Sequence, residues 1–258
     1  MQYQTITRDD QDGIAILTLN RPDVMNALNT QMRAEITHAV TEAGQQARVV
    51  VLTGTGRAFC SGQDLGDRAN VSNINLERTL RDEYLPMLMA IVDCPVPVIA
   101  AVNGTAAGAG ANLALVCDVV IATESASFIQ AFSRIGLIPD AGGTWALPRT
   151  IGLQRAMGAA LFADKISAAQ AADWGMIWEM AADDTFAEVW MGRARHLAKG
   201  PTEAFKRIKQ VMRASSGNSL EDQLILEGQL QGECGHTRDF KEGVLSFLEK
   251  RAPAFEGR

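Results

Sequence analysis

Short apolar segments that alternate with longer helix-forming segments constrain the fold of this chain more than any other feature. Three of them are rich in Ile, Val and Leu and are bounded by polar residues or glycine: Ile14–Leu19, residues 48–53 and residues 96–102. This pattern predicts buried strands. Thr30–Gln46 carries apolar residues at helical spacing, and a second helix is predicted over residues 76–92. The alternation predicts an α/β domain in which helices pack on parallel strands.

The C-terminal third has a different pattern. Residues 183–250 contain helical segments only, separated by Gly200-Pro201 and by residues 215–218, which predicts an α-helical C-terminal part. With 258 residues, the chain is long enough for one large core with such an appendage. The first helix is predicted to use Thr30 as its N-cap.

Charge and cysteine content disfavour several classes of protein. A formal net charge of -6 argues against nucleic-acid binding, which needs a basic face. The sequence has neither a signal-peptide pattern nor an apolar run of the roughly 18 residues that span a bilayer, so we expect a cytoplasmic protein without membrane contact. Cys60, Cys94, Cys117 and Cys234 form no CxxC or Cys/His pair, so we expect buried, reduced thiols and no metal site.

Three loops of small residues lie at residues 54–65, 103–112 and 136–145, and the first two directly follow predicted strands. Glycine in such loops permits tight turns and the close approach of a ligand. The second loop opens into an apolar helix, and the unpaired N–H groups at a helix N-terminus suit an anion. The loops are therefore the candidate binding elements.

The second loop also permits a dinucleotide-binding interpretation. Gly104, Gly108 and Gly110 form a GxxxGxG pattern after a strand. A short-chain dehydrogenase with this spacing would carry it at its first strand and would have a Tyr and a Lys four residues apart. The only tyrosines, Tyr3 and Tyr84, have no such lysine, so this alternative is disfavoured.

Asp140 is the one acid in the third loop, where it lies among small and apolar residues. Considered alone, it is best explained as the N-cap of a following helix, because Asp favours that position. A catalytic carboxylate is the alternative.

Several motifs, taken in order, resemble the enoyl-CoA hydratase/isomerase, or crotonase, superfamily over nearly the whole chain. They are LNRP at 19–22, NAL at 26–28, FCSGQDL at 59–65, AVNG at 101–104, GAG at 108–110, CD at 117–118, GGT at 142–144 and EGVLSFLEKR at 242–251. Within the superfamily, the third loop and its surroundings most resemble the ring-1,2-epoxyphenylacetyl-CoA isomerases. The resemblance implies a spiral α/β core of β-β-α units, followed by helices.

The resemblance also implies an acyl-CoA site. The peptide N–H groups of Gln63 and Ala109 correspond to the pair that holds the thioester oxygen, and Asp140 occupies the position of the isomerases' acid/base. Further positions match residues that surround the substrate in relatives: Val24, Met25, Ala58, Ser61, Gly62, Asp64, Leu65, Gly110 and Pro139.

The same correspondence indicates the type of reaction. The two glutamates of the hydratases fall at Asn112 and Phe132, which cannot act as acid or base, so hydration is disfavoured. Shifting a double bond through an enolate needs only one carboxylate. With Phe128 and Ile138 expected nearby, desolvation should raise the pKa of Asp140. Aromatic dehalogenation, with Asp140 as nucleophile, is disfavoured because no histidine lies in or between the three loops.

These implications predict an acyl-CoA isomerase that converts ring-1,2-epoxyphenylacetyl-CoA to the oxepin thioester. A Δ3-Δ2-enoyl-CoA isomerase is the alternative within the fold, and a non-catalytic or RNA-binding protein is the alternative of another class. No cofactor is expected, because CoA is part of the substrate. We expect residues 1–195 to form the core with the acyl-CoA site, and residues 196–258 to form a helical region that assembles a homotrimer or a dimer of trimers.

Overall fold

Two β-sheets form the centre of the protein. The computed structural model describes residues 2–66 and 75–258. Its strands are β1 Ile6–Gln11, β2 Ile14–Leu19, β3 Val49–Gly54, β4 Ala58–Cys60, β5 Val98–Val102, β6 Thr105–Ala107, β7 Val119–Thr123, β8 Ser127–Ile129, β9 Ile166–Ser167 and β10 Glu179–Ala181. The larger sheet has the order β1-β2-β3-β5-β7-β10, and the smaller has the order β4-β6-β8-β9.

The larger sheet contains the three strands predicted from the sequence. Its first two strands form an antiparallel hairpin around Asp12 and Gly13, which both have positive φ. All its other neighbours are parallel. Every residue of β5 is buried, as expected of a parallel strand covered on both faces.

The smaller sheet repeats the chain order of the larger one. The three-residue strands β4, β6 and β8 follow β3, β5 and β7, respectively, and pair with one another in parallel. A helical segment comes after each such pair of strands. This repetition is the predicted spiral of β-β-α units, and it brings the loops that follow the strands to one side of the core.

Ten α-helices accompany the sheets in the part of the chain that the structure describes. They are α1 Thr30–Gln46, α2 Leu76–Thr79, α3 Leu85–Val92, α4 Ala109–Leu115, α5 Gly143–Phe162, α6 Ala168–Asp173, α7 Phe186–Ala198, α8 Thr202–Ala214, α9 Leu220–Gly235 and α10 Arg238–Glu249. A π-helical segment, Leu80–Tyr84, joins α2 to α3, so residues 76–92 are helical as predicted.

The first helix has its predicted bounds but a different cap. Asn29 is the N-cap, and its side chain accepts a hydrogen bond of 2.8 Å from the Met32 N–H. The prediction that Thr30 is the N-cap was wrong, because Thr30 already belongs to the first helical turn.

The C-terminal part is helical from α7 onward, as predicted. Helix α7 continues across the expected boundary between residues 195 and 196. The division of the chain into a core and a helical assembly region at this boundary stays a prediction. A cavity of about 1000 Å³ lies among α8, α9 and α10. Cys60, Cys94 and Cys117 are buried free thiols as expected, whereas Cys234 is only partly buried.

Buried charges connect α8 to the core. The Asp118 carboxylate, 13% exposed, lies 2.7 Å from Lys209 Nζ and 2.8 Å from Arg213 Nη2. Lys209 also donates to the carbonyls of Cys94 and Val96 at 2.8 and 3.0 Å. The cluster therefore fixes α8 against the chain on both sides of Pro95.

Candidate active site

The first and second loops meet at Gly62. Its φ is +96°, and a Cβ built on it would lie 2.8 Å from the Ala107 carbonyl oxygen and 3.4 Å from the Ala109 nitrogen. A side chain at this position would therefore enter the space beside the Ala109 N–H. Glycine at this position permits both the backbone conformation and the contact.

The peptide N–H groups of Gln63 and Ala109 have no partner within the described residues. Gln63 forms a parallel bridge with Leu28, which uses the Gly62 carbonyl and the Asp64 N–H. The N–H of Gln63 itself therefore points away from Leu28. Ala109 is the first residue of α4, where an N–H has no intrahelical acceptor. Two unpaired donors thus lie on adjoining loops.

Two glycines of the second loop are explained by packing. A Cβ at Gly104 would lie 2.3 Å from the Arg57 carbonyl oxygen, and one at Gly110 would lie 2.3 Å from that of Cys60. Both contacts are with the first loop and β4. The GxxxGxG spacing therefore reflects close backbone packing rather than a phosphate cradle.

Asp140 lies in the third loop with its carboxylate half buried. Its Oδ1 is buried and has no hydrogen-bond partner among the described residues. Burial raises the pKa of Asp140 to about 6, although its own backbone N–H opposes the shift. No charged neighbour contributes to this shift. The predicted direction is confirmed, but Ile138 is 77% exposed and does not provide the apolar cover.

The N-cap hypothesis for Asp140 was wrong. Helix α5 begins at Gly143, and its N-cap is Gly142, without a side-chain hydrogen bond. Ala141 and Gly142 both have positive φ, of 47° and 84°, so the backbone turns sharply between the carboxylate and the helix. This turn leaves the Asp140 side chain free for another role.

Asn112 and Phe132 lie close to these elements, and both are buried. Asn112 Nδ2 donates to the Asp140 carbonyl oxygen at 2.7 Å, and Asn112 Oδ1 accepts from Gln130 Nε2 at 2.8 Å. The Phe132 ring approaches to 3.8 Å from a Cβ built on Gly108, next to Ala109. The two positions thus hold an amide and a hydrocarbon instead of two carboxylates.

The N-terminal segment after β2 adjoins the first loop. Ser61 donates its N–H to the Met25 carbonyl at 2.9 Å and its hydroxyl to the Val24 carbonyl at 3.2 Å. The side chains of Val24 and Met25 are about 40% exposed. Asp64 forms an ion pair with Arg21 at 2.7 Å and accepts from the Gly66 N–H at 3.0 Å, so it shapes the loop.

The remaining predicted site residues differ in their exposure. Leu65 is 60% exposed, Ala58 is buried within β4, and Gly110 is buried against Cys60. Pro139 is half buried and directly precedes Asp140. The loops therefore bring Gly62, the chain neighbour of Gln63, against Ala109, and hydrogen bonds join Ser61 to Val24 and Met25.

Sequence reasoning did not identify Gln130 or Tyr84. Gln130 is 1% exposed and contacts the third loop only through Asn112. Tyr84 is 1% exposed, and its hydroxyl has no partner in residues 2–66 and 75–258. Burial raises the pKa of Tyr84, the neighbouring Arg33 guanidinium opposes the rise, and the charge of Asp140 adds to it. No motif marked either residue, because each is distant in sequence from the group that it influences.

Residues 2–66 and 75–258 contain no group of three or more His, Cys, Asp or Glu side chains that could hold a metal ion. None of the helices found there is both long and apolar enough to cross a bilayer.

Comparison with known proteins identifies the family that this fold and site define. Residues 9–258 match the enoyl-CoA hydratase/isomerase family, and the chain belongs to it. A protein of Rhodobacter capsulatus named "Probable enoyl-CoA hydratase" is 59% identical over the full length of both chains. The 1,2-epoxyphenylacetyl-CoA isomerase of Escherichia coli is 46% identical and covers 96% of this chain and 97% of its own.

Solved structures agree with this membership. The crystal structure of an enoyl-CoA hydratase from Bacillus anthracis superposes with a TM-score of 0.92 at 33% identity, covering 99% of this chain and 100% of that one. The crotonase fold expected from the motifs is therefore confirmed.

Proposed function

We propose that this enzyme is an acyl-CoA isomerase that converts ring-1,2-epoxyphenylacetyl-CoA to the oxepin thioester. Asp140 is its acid/base. The observation that carries the proposal is the buried carboxylate oxygen of Asp140, which has no partner among the described residues, on a loop whose Asp140 carbonyl is hydrogen-bonded to Asn112 of the helix that begins at Ala109. The 46% identical isomerase of Escherichia coli supports the choice of substrate.

The proposed mechanism is proton transfer through an enolate. The thioester oxygen accepts hydrogen bonds from the N–H groups of Gln63 and Ala109, each of which contributes about 3 kcal/mol to stabilising the oxyanion. Asp140 removes a proton from the carbon next to the thioester and returns it to a ring carbon as the epoxide opens to the seven-membered ring. Substrate and product have the same composition, so we propose no cofactor and no water as reactant. A pKa of about 6 allows Asp140 both to accept and to release the proton near neutral pH.

Hydration is the main rival, since the 59% identical relative is named as a hydratase. Adding water requires a second acid or base to orient and activate it. Asn112 and Phe132 hold the family's two hydratase positions, and no charged group affects the pKa of Asp140. Both observations favour isomerisation. A linear 3-enoyl-CoA would use the same base and remains the second candidate substrate.

We further propose that Val24, Met25, Ala58, Ser61, Gly62, Leu65, Gly110 and Pro139 line the acyl-CoA site, with Asp64 holding its loop. The exposed apolar side chains of α8–α10 support assembly into a homotrimer or a dimer of trimers. A cytoplasmic location agrees with four thiols that form no disulfide.

Turnover assays test the proposal. The purified protein and its Asp140→Asn variant are incubated with the epoxide, with a linear 3-enoyl-CoA and with a 2-enoyl-CoA, and products are identified by mass. Asp184→Asn, which changes an exposed carboxylate in the turn between β10 and α7, is the matched control. We expect epoxide conversion by the wild type and the control, and at least a thousandfold loss in Asp140→Asn.

Other outcomes would change the conclusion. Conversion of the linear substrate alone would identify a fatty-acyl isomerase. Formation of a hydrated product, with its mass increased by that of water, would identify a hydratase. An Asp140→Asn variant as active as the wild type would exclude Asp140 as the base.

A further inference from the structure

We propose that Asn112 and Gln130 form a buried hydrogen-bond relay that positions Asp140, so that Asn112 is a positioning residue of the reaction. The inference rests on the proposed function for the role of Asp140 as base. It does not depend on which acyl group is the substrate.

The relay is defined by two short contacts between buried groups. Gln130 Nε2 donates to Asn112 Oδ1 at 2.8 Å, and Asn112 Nδ2 donates to the Asp140 carbonyl oxygen at 2.7 Å. Asn112 is completely buried, and Gln130 is 1% exposed. A Cβ at Gly143 would lie 2.4 Å from Asn112 Nδ2, so the start of α5 packs directly on this amide.

The direction of the relay follows from its last acceptor. A peptide carbonyl only accepts hydrogen bonds, so Asn112 must present its NH₂ group to Asp140. Its oxygen therefore faces Gln130, which must present its own NH₂ group in turn. A carboxylate at position 112 would place an acceptor against the Asp140 carbonyl and would break the relay.

The carbonyl that Asn112 binds belongs to the peptide bond between Asp140 and Ala141, and Ala141 has a positive φ. The Asp140 carbonyl oxygen also accepts a hydrogen bond of 2.9 Å from the Gly143 N–H. Between these residues, Ala141 has a φ of 47°, a backbone conformation that residues other than glycine rarely adopt. Such conformations persist only when their surroundings hold them. The hydrogen bond from the Asn112 amide, which lies outside the loop, stabilises this conformation.

Anchoring through the main chain adds no hydrogen bond from Asn112 to the carboxylate itself. Hydrogen bonds to a carboxylate favour its charged form and weaken it as a base. Asn112 instead donates its hydrogen bond to the peptide carbonyl of Asp140. Asp140 Oδ1 has no hydrogen-bond partner among the described residues. The relay therefore orients the base without adding a further hydrogen bond that would lower its pKa.

The test compares Asn112→Leu, Gln130→Leu and the double variant with the wild type, on whichever acyl-CoA the wild type converts. Leucine fills similar space but cannot donate. Asn218→Leu is the matched control, because it removes an exposed amide hydrogen bond, Asn218 Nδ2 to Gln223 Oε1, far from the loop. Circular dichroism verifies that each variant is folded.

We expect kcat to fall about tenfold to a hundredfold in Asn112→Leu, with KM within threefold of wild type, because the base is misplaced while the CoA contacts are kept. Gln130→Leu should cause a smaller loss. The double variant should be no worse than Asn112→Leu, since groups in one relay are not additive. Additive losses, or a wild-type kcat in Asn112→Leu, would overturn the relay.

A second measurement needs no substrate. NMR titration of the Asp140 carboxyl should show its pKa falling toward that of an ordinary carboxyl in Asn112→Leu, because the released loop exposes it to water. An unchanged pKa would overturn the relay even if the wild type proved inactive on every acyl-CoA. If Asn112→Leu does not fold, the same titration is carried out on Gln130→Leu. Gln130 reaches the loop only through Asn112, and the pKa of Asp140 should fall in that variant as well.

Discussion

If Asp140 is the base, as proposed, its pKa determines how the reaction rate depends on pH. Burial raises its pKa to about 6, and only the ionised form can accept a proton. We therefore expect kcat/KM to be constant above about pH 7 and to fall about tenfold per unit below pH 6. Steady-state assays from pH 4.5 to 9 measure this profile.

A control is needed because the phosphate monoester of CoA also titrates near pH 6. An acyl-pantetheine thioester lacks this phosphate and should give the same acid limb. A limb near pH 4 with both substrates would show that Asp140 is not the titrating base.

The hydroxyl of Tyr84 is a second unpaired polar group, and its removal has a predictable effect. Tyr84→Phe deletes a buried hydroxyl without a partner among the described residues, so the free energy of unfolding should rise by about 1 kcal/mol. Tyr3→Phe is the matched control. The Tyr3 hydroxyl lies 3.0 Å from His38 Nδ1, and its removal should lower stability by about 0.5 kcal/mol. Urea denaturation compares the two, and a loss of stability in Tyr84→Phe would mean that its hydroxyl is paired.

At the scale of elements, the contact between α4 and β4 limits what position 110 can hold. A Cβ at Gly110 would lie 2.3 Å from the Cys60 carbonyl oxygen, so Gly110→Ala must push α4 away from the strand. We expect a loss of about 2–3 kcal/mol of stability. Gly192→Ala, at an exposed position of α7 where nothing lies within 4 Å, should instead add about 0.5–1 kcal/mol. Thermal unfolding of both variants measures the difference, and equal effects would contradict this packing.

The elements that sequence patterns predicted are those whose own residues determine them. Helix α1 has its predicted bounds because apolar residues at helical spacing bury one face of a long segment. The strands β4, β6 and β8 were not predicted, since each has only three residues and no periodicity can be recognised over that length. Their positions depend on pairing with one another.

The candidate site was predictable to the same extent. The family resemblance assigned roles to Gln63, Ala109 and Asp140, which stay predictions, and the side chains of Asn112 and Phe132 argued against a hydratase. The hydrogen bond from Asn112 to the Asp140 carbonyl was not predictable, because it joins residues 28 positions apart through a turn with positive φ. Only the folded structure reveals such a contact.

At the scale of the whole molecule, the C-terminal helices present an apolar surface that a monomer would leave in water. The exposed side chains include Leu220, Leu224, Phe240, Val244, Phe247 and Leu248. If this surface assembles the proposed trimer, a double variant with Leu224→Glu and Phe247→Glu should sediment as a monomer, because burying two carboxylates is costly. Lys241→Glu, an exposed charge on the same helix α10, should leave the assembly intact. A wild type that sediments as a monomer would refute the assembly.

The ion cluster around Asp118 has a consequence for the synthesis of the protein on the ribosome. The strands of both sheets leave the ribosome before Lys209 and Arg213, the two cations that neutralise this mostly buried carboxylate. Until α8 is released, the Asp118 carboxylate lacks both cations and, among the described residues, keeps only its hydrogen bond from the Val98 N–H. We therefore expect the ion cluster, and the attachment of α8 to the core, to form only near the end of translation.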